Sequence, residues 1–259
     1  MENELNITIL QSDLVWENAS ENRTSFETKI NAIIAPTDVI VLPEMFTTGF
    51  AMQPESLAET MDGTTVTWML KQAKTTNSAI CGSIIITENK HFYNRFLFIT
   101  PSGKIHQYNK RHLFSLAGEH ERYKSDNKQV VIDYKGWRIC PLVCYDLRFP
   151  VWSRNTSNYD VLIYVANWPK PRVTAWNTLL KARAIENMSY VVGANRVGKD
   201  ANGHEYTGNS IVLDELGNEI TPLTENIEAT LTTTLSKEKL LASRNKFNFL
   251  GDQDEFEMK

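Results

Sequence analysis

The sequence predicts an α/β protein in which helices cover a mixed β-sheet. Short apolar runs that end at a proline or a polar residue alternate with longer segments of helical periodicity. Hairpin signals lie between them, so antiparallel pairs are expected beside parallel ones. The chain has 259 residues, a length that α/β folds often use as one domain, and we expect a single domain over residues 1–259.

In the first half of the chain, a strand precedes a long amphipathic helix in which Phe26, Ile30 and Ile34 recur at helical spacing. A short apolar run, DVIVL, ends at Pro43 and fits a buried strand. A second amphipathic segment leads to another buried strand, and a Pro-Ser-Gly turn between two apolar runs then predicts a hairpin. The predicted elements are the strand Ile7–Leu10, the helix Val15–Ile34, the strand Asp38–Leu42, the helix Thr64–Thr76, the strand Ala79–Thr87 and the hairpin strands Asn94–Thr100 and Lys104–Tyr108.

The second half continues the alternation. A Lys-Gly turn opens a further apolar strand, and a Leu-Gly-Asn turn marks a second hairpin. The last strand leads to a helical segment and a polar tail, Gly251–Lys259. The predicted elements are the strand Trp137–Cys144, the helix Val151–Arg154, the strand Val161–Val165, the helix Val173–Asn187, the strand Tyr190–Ala194, the hairpin Ile211–Ile220, the strand Thr230–Leu235 and a helix from Ser236.

Composition excludes several classes of partner. The net charge of -4 gives no long-range attraction for nucleic acid or anionic lipid, and no run approaches the roughly 20 apolar residues of a membrane span. Three cysteines, Cys81, Cys140 and Cys144, form neither a disulfide framework nor a zinc spacing. The acidic, polar N-terminus does not resemble a signal peptide. We therefore expect a cytoplasmic protein that acts on a small molecule, without nucleic acid, membrane or metal.

Polar residues follow several of the predicted strands. Glu44 follows DVIVLP, Cys144 follows WRICPLV, and Asn167 and Trp168 follow VLIYVA. Lys110 lies just past the strand that ends at Tyr108. In α/β proteins, ligand sites gather beyond the carboxyl ends of strands, so these side chains are candidates for one shared site.

Cys144 is the candidate nucleophile, because a cysteine at a strand-to-helix turn is exposed and the backbone N–H groups after it can hold an oxyanion. Most free cysteines are instead small buried apolar side chains, which is how we interpret Cys81 and Cys140. Glu44 can take the thiol proton, and Lys110 can lower the thiol pKa and stabilise an oxyanion. Taken singly, Glu44 also fits a solvated loop acid, and Lys110 a surface basic cluster.

Together these segments resemble a known family. LPEMFTTGF, YNKRHLF and PLVCYDLRFP, in that order, are similar to the three motif blocks of the nitrilase, or carbon–nitrogen hydrolase, superfamily. The resemblance extends through YVANWP and KARAIENMSYVVGANRVG over nearly the whole chain, and it is strongest for the bacterial omega-amidase group.

The resemblance implies a catalytic set of Glu44, Lys110 and Cys144, with a second acid that orients the lysine. We match that acid to Glu119 rather than to Glu121, from its spacing to the next aromatic residue. The family fold is a four-layer α-β-β-α sandwich, usually paired into homodimers, and the chemistry needs no cofactor. The strand and helix pattern by itself is equally compatible with a two-layer α/β fold.

The resemblance also implies the reaction and the substrate class. Omega-amidases hydrolyse the terminal amide of small dicarboxylate monoamides, such as 2-oxoglutaramate and 2-oxosuccinamate, through a cysteine thioester. We expect the Tyr145 N–H to share the oxyanion with Lys110. Arg148 is the candidate for the substrate carboxylate, unless it pairs with Asp146 or another acid. Trp168 walls the pocket or packs in the core, and Arg172 is an alternative cation.

Rival functions remain open at this stage. A nitrilase, an N-carbamoyl hydrolase or another amidase of the superfamily would carry the same three residues. A catalytically silent scaffold would keep the fold without the chemistry, although the presence of all three residues argues against it. Papain-like Cys–His catalysis finds no matching histidine motif.

Overall fold

Two mixed β-sheets lie face to face between two outer layers of helices, which is the four-layer α-β-β-α sandwich that the resemblance implied. A computed structural model describes residues 3–258. Over these residues, one sheet has six strands and the other has seven. The apolar core between them draws on both sheets, and a second core lies between the six-stranded sheet and its helices.

The strands are β1 (Glu4–Gln11), β2 (Val39–Val41), β3 (Ala79–Glu88), β4 (His91–Ile99), β5 (Ile105–Asn109), β6 (Ile132–Tyr134), β7 (Trp137–Val143), β8 (Val161–Ala166), β9 (Tyr190–Asn195), β10 (Val197–Lys199), β11 (Glu205–Leu213), β12 (Thr224–Glu225) and β13 (Ala229–Ser236). The helices are α1 (Ala19–Asn31), α2 (Pro54–Leu57), α3 (Thr64–Thr76), α4 (Glu119–Arg122), α5 (Pro150–Ser153), α6 (Val173–Asn187) and α7 (Lys237–Phe247). Short 3₁₀ turns cover Ser115–Ala117, Cys144–Arg148, Lys170–Arg172 and Phe249–Asp252.

The alternation of side chains along each strand assigns its two faces to different layers. In β2, Val39 and Val41 belong to the core between the sheets, whereas Ile40 packs in the core beneath α1 and α3. Because both faces of β2 are buried, the strand is apolar throughout. The short length of the run DVIVL therefore indicates a strand, because the run shows no alternation of apolar and polar residues.

The order and direction of the strands place the candidate functional residues at the ends of strands, at corresponding edges of the two sheets. The six-stranded sheet has the order β13-β1-β2-β3-β4-β5, and the other runs β10-β11-β9-β8-β7-β6, with β12 paired to β11. β2 and β3 are parallel, and two antiparallel steps make β5 run the same way as β3. In the second sheet, β7 and β8 are parallel. The residues that follow β2, β5, β7 and β8 are therefore grouped at strand ends.

The predicted helix Val15–Ile34 was wrong at both ends. Glu17 has a left-handed backbone, with φ of 53°, and the side chain of Asn18 accepts the N–H of Glu21, so the helix begins only at Ala19. It ends at Asn31, and Ile34 lies beyond it with its side chain 99% exposed. Apolar spacing alone extended the prediction across a capping residue.

Boundaries at the end of β7 and at the second predicted hairpin also differ from the prediction. β7 ends at Val143, so Cys144 begins a 3₁₀ turn instead of ending the strand. The predicted hairpin Ile211–Ile220 is the end of the longer β11, with a single returning bridge between Leu213 and Glu219. The first half of β11 was missed because its sequence, EYTGNS, is polar and carries a glycine.

Within residues 3–258, no helix combines the length and the apolar character that crossing a bilayer requires.

Asn22 connects α1 to the loop that follows Glu44. Its side chain accepts the Val15 N–H at 2.8 Å and donates to the main-chain oxygens of Val15 and Thr47, each at 2.7 Å. We expect Asn22→Ala to lower the free energy of unfolding by about 2 kcal/mol, because these buried main-chain groups lose their partner. Urea denaturation measures the change. Asn31→Ala, at an exposed position of the same helix, is the control and should stay within about 0.5 kcal/mol of wild type.

Candidate active site

The polar residues at the strand ends meet at one pocket. Glu44 follows β2, Lys110 follows β5, Cys144 follows β7 and Asn167 follows β8. Lys110, Cys144 and Asn167 line the pocket, together with Tyr145, and Glu44 lies behind them in contact with both Lys110 and Asn167. The tertiary structure therefore joins residues that are up to 123 positions apart.

Cys144 lies on a sharp turn between β7 and α5. Its φ of 44° is left-handed, a strained conformation for a residue with a side chain, and it presents the thiol at the strand end. Asp146 holds this turn from inside: its carboxylate accepts the Val143 N–H at 3.0 Å, the Tyr108 hydroxyl at 2.8 Å and the His112 N–H at 3.0 Å. Asp146 therefore has a structural role in this turn.

Lys110 is fully buried between two fully buried carboxylates. Its Nζ donates to Glu44 Oε1 at 2.9 Å and to the two oxygens of Glu119 at 3.0 and 2.9 Å. Asn94 joins the same cluster, with Nδ2 at 2.7 Å from Glu44 Oε1 and 3.3 Å from Glu119 Oε1. One cation and one neutral amide thus hold both carboxylates in fixed positions.

Glu119, rather than Glu121, is the acid that contacts the lysine. It begins α4 and points inward, where Oε2 also accepts the Phe114 N–H at 2.6 Å, whereas Glu121 is exposed. Sequence reasoning missed Asn94. The available signal was a polar residue within the apolar run of β4, which indicates a buried hydrogen-bonding role but not its partner.

Burial and charge act in opposite directions on this cluster. Burial alone would lower the pKa of Lys110, but the charges of Glu119 and then Glu44 outweigh it and raise that pKa, so the ammonium stays protonated. Burial raises the pKa of Glu119, and the neighbouring charge of Glu44 adds to this against the opposing effect of Lys110. The cluster therefore disfavours any negative charge that Lys110 does not balance.

The Cys144 thiol is held in its neutral form. Burial and then the charge of Glu44 raise its pKa well above the ordinary value, and the opposing effect of Lys110 is smaller. Lys110 thus lowers the thiol pKa, as expected, but burial and the charge of Glu44 outweigh its effect. A side-chain hydrogen bond to Glu44 contributes to the same shift, so the carboxylate lies where it can accept the thiol proton.

The turn after Cys144 supplies a main-chain donor. Tyr145 is the second residue of the 3₁₀ turn, where N–H groups have no partner within the turn. Its side chain lines the pocket and packs edge-on against Phe114, with ring centroids 5.0 Å apart. The Tyr145 N–H is therefore available beside the thiol for an oxygen that carries negative charge, and the positive charge of Lys110 lies at the same pocket.

Two arginines flank the pocket, each against an aromatic ring. Arg148 is exposed, lies 5.0 Å from the centroid of Trp168 and makes no ion pair within residues 3–258. The alternative pairing with Asp146 does not form. Arg172 is half-buried, 5.1 Å from the centroid of Phe114. Trp168 is buried yet lines the pocket, so the two interpretations of this residue are both correct in part.

The other cysteines lie in the core. Cys81 and Cys140 are buried, and burial raises the pKa of Cys140 to about 12 and that of Cys81 further. Among the residues that the structure describes, no group of His, Cys, Asp and Glu side chains forms a metal site.

Comparison with known proteins identifies a family profile and several relatives that are similar to this chain. The sequence profile of the carbon–nitrogen hydrolase family matches residues 6–245. An omega-amidase of Escherichia coli strain K12 is 46% identical over 254 residues, which cover 98% of each chain. A 2-oxoglutaramate amidase of Bacillus subtilis strain 168 is 34% identical over 216 residues, 82% of this chain and 83% of the relative.

A solved structure agrees with the fold. A carbon–nitrogen hydrolase superfamily protein of Xanthomonas campestris, determined with an arsenic adduct in its active site, has a TM-score of 0.97 to this chain. It is 39% identical, and the match covers the whole of both chains. The family resemblance and the four-layer sandwich that it implied are confirmed.

The charge of Glu44 can be tested through the reactivity of the thiol. Glu44→Gln removes the negative charge that raises the Cys144 pKa, so the pH midpoint for alkylation by iodoacetamide should move to lower pH. Lys110→Met removes the positive charge that lowers the Cys144 pKa and should move the midpoint for alkylation to higher pH. Mass spectrometry measures the modification rate at each pH, with Cys81 and Cys140 as slow internal controls. A midpoint that rises in Glu44→Gln would contradict this description of the site.

Proposed function

The chain belongs to the carbon–nitrogen hydrolase family and is a hydrolase of non-peptide carbon–nitrogen bonds, and we propose that it is an omega-amidase. The reaction converts small dicarboxylate monoamides, such as 2-oxoglutaramate and 2-oxosuccinamate, to the dicarboxylate and ammonia. The observation that carries the proposal is the buried Glu44–Lys110–Glu119 cluster beside the pocket-facing Cys144, in a chain 46% identical to an omega-amidase over 98% of its length.

The mechanism starts from the neutral thiol. Glu44 takes the Cys144 proton as the sulfur attacks the amide carbon, which avoids a free thiolate in a site that disfavours one. Lys110 and the Tyr145 N–H hold the oxyanion of the tetrahedral intermediate; removal of one such donor typically slows a reaction by roughly 10²–10³. Glu44 returns the proton to the nitrogen, ammonia leaves, and a thioester remains. Glu44 then activates water to release the acid.

Glu119 contributes by holding Lys110 in place. Its two oxygens accept hydrogen bonds from the Lys110 ammonium, and the Phe114 N–H fixes the orientation of the Glu119 carboxylate. A lysine held by two carboxylates stays charged while protons move between Cys144, Glu44 and the substrate. Because the reaction uses only these side chains and water, it requires no cofactor.

The free carboxylate of the substrate needs a cation at the pocket mouth. We assign this to Arg148, which lines the pocket, follows Cys144 on the same turn and has no competing ion pair within residues 3–258. The Trp168 ring beside it restricts the orientation of the guanidinium and forms the side of the pocket along which the substrate's carbon chain would lie. Arg172 is the alternative cation.

The remaining proposals concern the whole molecule. We propose a single carbon–nitrogen hydrolase domain over residues 1–259, since one core spans both sheets. A cytoplasmic location suits a thiol nucleophile that must stay reduced. A homodimer is supported by exposed apolar side chains near α5 and the C-terminal segment, including Val151, Phe249 and Phe256.

Hydrolysis of a small panel tests the activity. We expect ammonia release from 2-oxoglutaramate and succinamate, but not from nitriles or N-carbamoyl amino acids. Cys144→Ala should lower kcat/KM by at least about 10³-fold because the thioester cannot form. Cys81→Ala removes a buried thiol away from the pocket and should keep most of the activity. Turnover that survives in Cys144→Ala would reject the mechanism.

The proposal that Arg148 binds the substrate carboxylate is tested separately. Arg148→Met should raise KM for succinamate by roughly 10- to 100-fold, the loss expected when a charged hydrogen bond is removed. Hydrolysis of butyramide, which has no carboxylate, should change little. Arg172→Met is the matched control, and if this variant shows the selective loss instead, the carboxylate site belongs to Arg172.

A further inference from the structure

Two buried asparagines hold Glu44, and each has a carbonyl oxygen with no hydrogen bond among residues 3–258. Asn94 donates Nδ2 to Glu44 Oε1, and Asn167 donates Nδ2 to the main-chain oxygen of Glu44 at 2.7 Å. The Oδ1 atoms of both are buried and unpaired. Of the two, only Asn167 lines the pocket that contains Cys144. At the wall of a pocket, a bound ligand can supply the hydrogen bond that such a buried acceptor lacks within the protein.

The orientation of the Asn167 amide is determined by its neighbour. The main-chain oxygen of Glu44 can only accept, so the nitrogen of the Asn167 amide must face it and Oδ1 must face elsewhere. The main-chain N–H of Asn167 donates to Glu44 Oε2 at 2.8 Å. Asn167 is therefore fixed against the carboxylate that exchanges protons with the reacting groups.

A primary amide brings two N–H donors into the pocket besides its oxygen. In the proposed mechanism, Lys110 and the Tyr145 N–H take the oxygen, and the nitrogen must lie toward Glu44, which protonates it. The Glu44 carboxylate can accept one N–H. A second N–H without an acceptor would lose its hydrogen bond to water. The other side chains that line the pocket are mainly aromatic, apolar or cationic.

We propose that Asn167 Oδ1 accepts a hydrogen bond from the scissile amide nitrogen, so that Asn167 is a specificity residue for primary amides. An ester of the same acid has no N–H and gains nothing from this acceptor, and neither does a nitrile. The inference rests on the proposed amidase function, because it assigns the partner of the leaving nitrogen in that reaction.

The test compares an amide with an ester that gives the same thioester. kcat/KM is measured for succinamate and for monomethyl succinate, since this ratio reports the steps up to acylation, and deacylation is common to both. Asn167→Ala should lower kcat/KM for the amide by about 10- to 100-fold more than for the ester. Asn94→Ala is the matched control: it also disturbs Glu44 but does not line the pocket, so both substrates should lose equally.

An equal loss on both substrates in Asn167→Ala overturns the inference, because it means that Asn167 acts only by positioning Glu44. Thermal unfolding verifies that each variant folds; if Asn167→Ala does not, Asn167→Ser, whose hydroxyl is too short to replace Oδ1, is judged by the same ratio. If the wild-type enzyme hydrolyses uncharged amides but not succinamate, the proposed substrate class is wrong. The loss of kcat/KM in Asn167→Ala is then compared between an uncharged amide and the methyl ester of the same acid. Absence of any wild-type amidase activity rejects both proposals.

Discussion

The buried contact of Lys110 with Glu44 and Glu119 is the constraint on which the rest of the site depends. Burying three ionisable groups is costly unless charges are paired and the remaining lone pairs accept hydrogen bonds. Asn94, Phe114 and Asn167 supply those hydrogen bonds from three different parts of the chain. The site is therefore assembled as a unit, because loss of one partner leaves a charge without compensation.

The sandwich places this cluster by joining strand ends of two sheets. Glu44 and Lys110 extend from the six-stranded sheet, whereas Cys144 and Asn167 extend from the seven-stranded one. Neither sheet alone contains both the acid and the nucleophile. The core between the sheets therefore aligns the reacting groups as well as stabilising the fold, and the left-handed turn at Cys144 completes that alignment.

Burial of the thiol has a chemical consequence. The environment that raises the pKa of the Cys144 thiol also raises the pKa of Glu119. The site therefore disfavours negative charge beyond the amount that the positive charge of Lys110 balances. A proton passed directly from sulfur to Glu44 keeps this balance during attack. Exposed Arg148 and half-buried Arg172 lie at the outer part of the pocket, where a substrate carboxylate can be held without entering the cluster.

The sequence by itself determined the α/β class, the helices Thr64–Thr76 and Val173–Asn187, and the candidates Glu44, Lys110 and Cys144, because periodicity and strand ends are local signals. The family resemblance added Glu119 and the four layers. Only the tertiary structure decided that Asn94 joins the cluster, that Arg148 lies over the Trp168 ring rather than pairing with Asp146, and that the thiol stays protonated. Those outcomes depend on burial and on contacts between distant segments, which local sequence patterns do not contain.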